Sequence, residues 1–346
     1  MGWHRVGADR RPGFRPARLA RLLREAVDAL ELDLQGRVVY TEAATGAYVV
    51  TPVLAALAGA QRVIAATRAT PYGSVDEVIA QTRALAELLG VWGQITIATE
   101  RRPADVAEAD VVTNSGHVRP IDAEFVSWMK PGSVVPLMFE AWEIQCGRYD
   151  IDLDALREKG IAVAGTNERH PAVGVFEHLG PMAVVLLTEC GVAVRGARVV
   201  VVCDNPFMPY LVHGLHRAGA QVSAGESLDS ASDSRFRPDV VLVALRPRGN
   251  PVVDASAAQL LARRWPEAIV AQYWGDIDRS ALAAAGLPYW PPEAEAPRPG
   301  HMAVLPSAVG PEPIVRLQAG GLRVAQVLLT PEEARAPIDL EYLDEL

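Results

Sequence analysis

The sequence predicts an α/β fold of two parallel-sheet lobes joined by a long helix, and three observations predict it. Short β-branched runs alternate with amphipathic stretches almost from end to end, the pattern of βαβ units. The segment RGARVVVVCDNPFMPYLVHGLHRAGAQV, from Arg195 to Val222, reads as strand, turn, helix and next strand without a break. The chain's 346 residues, 50% hydrophobic and 22% charged, are enough for two cores.

The first lobe, residues 1–180, starts from an Arg-rich helix after a basic arm (Arg5, Arg10, Arg11, Arg15, Arg18) that Asp9 interrupts. Strands follow at 37–42, 62–66, 95–98, 110–113, 134–138 and 161–164, each an apolar β-branched run. Helices at 49–58, 75–89, 123–129 and 153–159 carry apolar residues at helical spacing between them. An apolar stretch at 173–190 predicts the long hinge helix. The second lobe, 181–310, has strands at 199–202, 221–224, 240–245 and 269–272 and helices at 207–218 and 255–265. The Ser/Asp-rich stretch 227–238 predicts a surface loop, and the proline-rich stretch 289–299 an extended connection. A last helix at 314–329 precedes an acidic tail or docking segment, 331–346.

Composition excludes several function classes. A net charge of −9 gives no footprint for nucleic acid. No run is apolar and long enough for a membrane span, and no secretory signal opens the chain. Cys146, Cys190 and Cys203 lack the spacing of a disulfide framework or a zinc site, so no metal is expected and a cytoplasmic location is. The only lysines, Lys130 and Lys159, stand in the turn-like contexts MKPG and EKG. That sets aside Schiff-base chemistry and Walker-type nucleotide hydrolysis.

Chemistry-bearing residues gather after strands, where open α/β sheets bind ligands. TNSGHVRP supplies Asn114, Ser115, His117 and Arg119; its Ser-Gly turn offers backbone amides to an anion, or Asn and Ser cap the next helix. MFEAWEIQ supplies Glu140 and Glu143 beside Trp142, an acid–base pair or surface ion-pairing glutamates. GTNERHP supplies Asn167, Glu168, Arg169 and His170. Glu168 and His170 are the preferred acid–base candidates, the alternative being a Glu–Arg ion pair with His170 stacked on Pro171. Glu177 and His178 read as structural residues of the hinge helix, and His213 and His216 as exposed.

Two turns resemble phosphate loops in part. After the strand 199–202, a dinucleotide fingerprint needs glycine at 203, 205 and 208; this chain has Cys203, Asn205 and Met208. Asp204, Asn205 and Phe207 fill that loop, with Asn205 able to cap the helix that Pro206 begins. Glu226 follows the next strand, where a ribose would be held. In the first lobe Thr41, Ala43 and Gly46 keep the spacing with small residues, and Arg68 ends the next strand, favouring a phosphorylated group over a bare ribose diol.

YDIDLDALREKGIAVAGTNE, VFEHLGPMAVVLL, RGARVVVV and DVVLVALRP together resemble the D-2-hydroxyacid dehydrogenases, the formate/glycerate dehydrogenase group. The likeness spans roughly residues 105–325, and GPMAVVLLTECGVAVRGARVVVV is also similar to the domain junction of methylenetetrahydrofolate dehydrogenases. The resemblance implies two Rossmann-like lobes, NAD or NADP, a small-acid substrate between the lobes, and a C-terminal helix, 311–330, that completes the first lobe. It transfers badly at the chemistry. AQYWGDID puts Trp274 and Asp276 where the family has its Arg, and LPSAVG puts Ser307 where it has its His. The expected function is a divergent NAD(P)-dependent oxidoreductase-like enzyme on a small-molecule acid. Its catalytic candidates are Glu168, His170, Glu140, His117 and Arg119, and its cofactor candidates Asp204, Asn205, Phe207, Glu226 and Trp274. The alternatives are a non-redox lyase, hydrolase or transferase for a phosphorylated or nucleotide-like substrate, and a non-catalytic scaffold protein. A homodimer, with no nucleic-acid or membrane partner, is expected.

Overall fold

The computed structural model describes residues 11–146, 150–231 and 236–346. Arg5, Asp9 and Arg10 of the basic arm, Tyr149, and 232–235 of the predicted surface loop lie outside them. The described chain forms two compact units. The larger holds 11–144, 150–175 and Gly310–Leu346; the smaller holds 145–146 and Phe176–Val309.

The larger unit runs α1 (Pro16–Ala29), β1 (Val38–Glu42), α2 (Val50–Leu57), β2 (Arg62–Ala66), α3 (Val75–Leu89), β3 (Ile95–Ala98), α4 (Pro103–Glu108) and β4 (Val111–Val112). It continues with α5 (Ala123–Trp128), β5 (Val134–Leu137), α6 (Leu153–Glu158) and β6 (Ala162–Thr166). Local chemistry sets the boundaries. Ser74 and Glu77 form a reciprocal capping box at the start of α3, and Gly90, in the left-handed region, ends it. The six parallel strands take the order β3-β2-β1-β4-β5-β6. Strand order therefore reverses between β1 and β4, and the crevice outside their carboxyl ends is the ligand position of such sheets.

The smaller unit contains α7 (Leu179–Glu189), β7 (Arg198–Val202), α8 (Met208–Arg217), β8 (Gln221–Gly225), β9 (Val240–Ala244), α9 (Ala255–Arg264), β10 (Ile269–Trp274), α10 (Arg279–Ala284) and β11 (Tyr289–Trp290). Its all-parallel sheet has the order β8-β7-β9-β10-β11, reversing between β7 and β9. The predicted long hinge helix is shorter than its apolar run. Pro181 lacks an amide hydrogen and fits only a first turn, so α7 begins at Leu179 after a separate 3₁₀ turn, Phe176–His178. The first residues of the proline-rich connection are β11, pairing with β10.

The chain then returns to the larger unit as α11 (Glu312–Leu329), α12 (Pro337–Leu340) and β12 (Leu343–Asp344). α11 packs on β5, β6 and α2. A Cβ at Gly321 would lie 2.1 Å from the Met138 sulfur, so the glycine lets the Met138 side chain pack directly against the helix backbone there. Of the two readings of 331–346, tail and docking segment, the structure shows the second. β12 adds an antiparallel edge strand to β6, and Arg323 fixes α12 through Asp339 at 2.6 Å. Both units share one fastening. Asp110 Oδ2 accepts the Val38 amide at 2.7 Å and Asp239 Oδ2 accepts the Arg198 amide at 2.8 Å, each locking the first strand to the strand across the reversal.

Candidate functional site

Glu42, the last residue of β1, stands at the reversal of the larger sheet. It is 7% exposed. Its Oε2 accepts the His117 amide at 3.0 Å, and the Gly116 amide also donates to the carboxyl. These are the amides that the Ser-Gly turn offered to a ligand anion; the protein's own carboxylate takes them instead. Among the described residues Oε1 has no hydrogen-bond partner. Burial holds the carboxyl above its ordinary range, against the two amides and the charge of Arg119.

Other polar groups surround it. The half-buried Tyr48 has its phenol pushed up to about 12, by burial first and then by the charge of Glu42. Thr41 Oγ1 meets Thr113 Oγ1 at 2.8 Å, which meets Ser115 Oγ at 2.8 Å, a buried hydroxyl chain tying β1 to the turn after β4. Asn114 Oδ1 accepts the Met138 amide at 2.8 Å and holds that turn to β5. His117, half-buried, is kept below its ordinary range by burial and then by the nearby Arg68 guanidinium. Its Nδ1 is buried without a hydrogen-bond partner among the described residues. Sequence reasoning named His117 and Arg119 but not Glu42, which organises them.

A second cluster lies at the carboxyl ends of β5 and β6. Glu140, fully buried, accepts from Trp142 Nε1 at 2.7 Å and from Arg169 Nε at 2.8 Å. Glu168 is 6% exposed, and no hydrogen bond to its carboxyl is found among the described residues. Burial, then Glu143, Glu140 and Asp344, hold its carboxyl well above the ordinary range, with Arg169 opposing. The C-terminal segment covers this rim: Asp344 Oδ2 accepts the Ala141 amide at 2.6 Å and Asn167 donates to Glu341 O at 2.8 Å. His170 lies against the Tyr342 ring, centroids 4.1 Å apart. Its Nδ1 accepts the Ala172 amide at 3.2 Å. Glu168, Glu140 and His170 are thus brought together, with C-terminal residues packed over them.

The smaller sheet's reversal is built differently, and a dinucleotide does not fit it. Asn205 Nδ2 donates to Ala244 O at 2.6 Å, spanning β7 to β9, while its Oδ1 accepts the Phe207 amide at 3.1 Å. Asp204 Oδ1 accepts the Arg246 amide at 2.7 Å, and Oδ2 pairs with Arg248 at 3.0 Å. Phe207 is buried between Trp274, stacked at 5.3 Å, and Phe176. A pyrophosphate needs free amides at a helix start. Here Pro206 and Pro209 have none, and the Phe207 amide is already bonded. Asp204, Asn205, Phe207 and Trp274 therefore close the loop instead of cradling phosphates. Glu226 is exposed beyond β8, and His213 and His216 are exposed on α8. No metal-binding group of His, Cys, Asp and Glu occurs among the described residues, and none of their helices is long and apolar enough to cross a membrane.

No protein-family model matches the sequence, and no curated protein is similar to it in sequence. Solved structures are similar in fold. A dipicolinate synthase structure from Bacillus halodurans matches with a TM-score of 0.53 at 11% identity, over 86% of this chain and 99% of that one. The corresponding dipicolinate synthase structure from Bacillus subtilis gives 0.49 at 9%, over 84% and 95%. The pyruvate reductase of Chlamydomonas reinhardtii gives 0.48 at 13%, over 87% and 97%. The chain has a two-sheet, Rossmann-like α/β fold similar to that of the Bacillus halodurans dipicolinate synthase structure.

Proposed function

We propose that this chain is a non-redox enzyme on a dehydrogenase-like scaffold, a lyase, hydrolase or transferase working by acid–base catalysis at the reversal between β1 and β4. One observation carries the reading: Glu42 is buried, with Oε2 accepting the His117 amide and no hydrogen bond to Oε1 found among the described residues. Burial keeps the proton on to higher pH, so Oε1 is suited to give it to a substrate. The amides and Arg119 then stabilise the carboxylate that remains, so both protonation states are provided for. Tyr48 keeps its proton at neutral pH and serves as a donor beside Glu42.

The test is a panel of small carboxylic and phosphorylated acids offered to the full chain in deuterium oxide, scored by mass spectrometry for product and deuterium. The wild type is expected to convert one of them, and Glu42→Gln to lose about 10²–10⁴-fold of that rate. Equal rates in both would overturn the assignment.

The second reading, a divergent NAD(P)-dependent oxidoreductase on a small acid, is favoured by the fold likeness to dehydrogenases. Fluorescence titration with NADH and NADPH separates the two. Saturable micromolar binding would bring the redox reading to the front; its absence is expected from the closed loop at Asn205.

A further inference from the structure

Arg68 and His117 are two groups of the larger unit that the acid–base chemistry does not use. Arg68 follows the end of β2, two residues past Ala66, which pairs in register with Glu42. It is exposed, and among the described residues it forms no hydrogen bond or ion pair. An unpaired surface arginine is ordinary by itself. This one is near enough for its charge to act on a half-buried imidazole whose Nδ1 has no partner among the described residues, and that histidine's own amide is bonded to Glu42. Both residues are thus brought to the carboxyl end of β1, Arg68 by the register of β2 and His117 by its amide bond to Glu42.

We propose that Arg68 and His117 bind a phosphate group of the substrate, placing the rest of that molecule over the Oε1 edge of Glu42. The inference rests on the reading of Glu42 as the acid–base residue, and its own content is the substrate class: a small phosphorylated molecule. Arginine matches phosphate with a planar fork of donors and keeps its charge at every working pH. Histidine adds a charge that can be switched. Alone beside Arg68 and partly buried, the imidazole favours its neutral form. A phosphate monoester, whose second ionisation lies near pH 6, supplies the counter-charge that would let it take up a proton. A carboxylate carries a single charge and leaves one of the two groups unmatched. Glu42, whose Oε2 is already engaged by the His117 amide, repels the bound group less while it holds its proton.

Inorganic phosphate is the probe, and the imidazole carbon–hydrogen signals of the isotopically labelled full chain are the readout, with His117 assigned through His117→Gln. Phosphate at millimolar concentration is expected to raise the His117 pKa by about one unit. Arg68→Gln is expected to abolish that rise and to weaken phosphate binding by about tenfold or more. Arg68→Lys, which keeps the charge but not the fork, should fall between. No rise in the wild type, or an equal rise in Arg68→Gln, would overturn the proposal. Acetate raising the His117 pKa as far as phosphate does would also overturn it, in favour of a carboxylate ligand. Glu42→Gln keeps the phosphate response while losing turnover, so failure of the acid–base reading and failure of the phosphate reading give different results.

Discussion

The two sheets fasten their reversal points with the same device and then use it for opposite ends. In the larger unit an acid at the end of β1, Glu42, is held by an amide from the turn after β4, at 3.0 Å. In the smaller unit the acid after β7, Asp204, is held by an amide from the turn after β9, at 2.7 Å. The difference lies in the second oxygen. That of Asp204 is paired with Arg248, and Asn205 bridges the same gap to Ala244. That of Glu42 has no partner among the described residues. One reversal is stitched shut as structure; the other keeps a buried acid in reserve. A sheet reversal is therefore a place where a ligand could bind, and the side chains there decide whether it does.

The largest expected effect follows from that contrast. Glu42→Gln should lower turnover by about 10²–10⁴-fold, whereas Asp204→Asn should leave it within a few-fold. Steady-state rates on the substrate found by the panel check this. Glutamine still accepts the two amides and never has to ionise in a buried place, so Glu42→Gln should be at least as stable as the wild type in thermal melts. An inactive protein that is also unfolded would not separate the two sheets.

The next effect is on stability. Asn205→Gly removes the bond to Ala244 and the cap on the Phe207 amide, leaving a partly buried carbonyl short of a partner. A loss of about 1–3 kcal/mol in urea unfolding is expected. Restoring glycine is not expected to restore a dinucleotide site, because Pro206 and Pro209 still lack amide hydrogens. NADH or NADPH binding to Asn205→Gly but not to the wild type would show that the side chain alone had closed the loop.

A smaller change with a clear sign comes from Glu168. Unfolded, it ionises near the ordinary 4.5; folded, it holds its proton to higher pH. Its contribution to stability is therefore present at low pH and lost as pH rises from about 4.5 through the folded value. Glu168→Gln should raise the melting temperature at neutral pH and flatten that decline, with little change below the carboxylate range. A melting temperature that falls at neutral pH in Glu168→Gln would place an ionised, paired Glu168 in the fold.

How much of this was legible in the sequence depends on how local each signal is. The α/β alternation was legible because each strand and helix carries its own periodicity, as in the valine run of β7 or the capped α3. The Asn205 bond was legible only in part: it spans two residues to the Phe207 amide, but it makes a turn ahead of α8, which begins at Met208 rather than at Pro206. Glu42 was not. It closes an apolar strand like any terminal polar residue, and its partners are in a turn 75 positions away in sequence. The same holds for β12, whose two residues have no period to read; only its pairing with Gly165 and Thr166 makes it a strand. α7 was read too long because apolarity extends past the residue where Pro181 allows a helix to begin.

The finest test of the comparison is Gly116→Ala. Gly116 does not need glycine for its backbone, since its φ is outside the left-handed region, and the residue is exposed, so the fold should bear the change within about 0.5 kcal/mol. The added Cβ would lie 3.2 Å from Glu42 Oε2, closer than such contacts normally come. The carboxyl must then give way by a few tenths of an ångström, loosening the amide bonds to it while leaving Oε1 unpartnered. Those bonds favour the ionised form, so weakening them should move the Glu42 pKa upward. The pH–rate profile of Gly116→Ala should therefore shift its Glu42 limb to higher pH with the maximal rate nearly kept. An unmoved limb would mean that Glu42 is as rigidly stitched as Asp204, and the contrast between the two sheets would then rest on Oε1 alone.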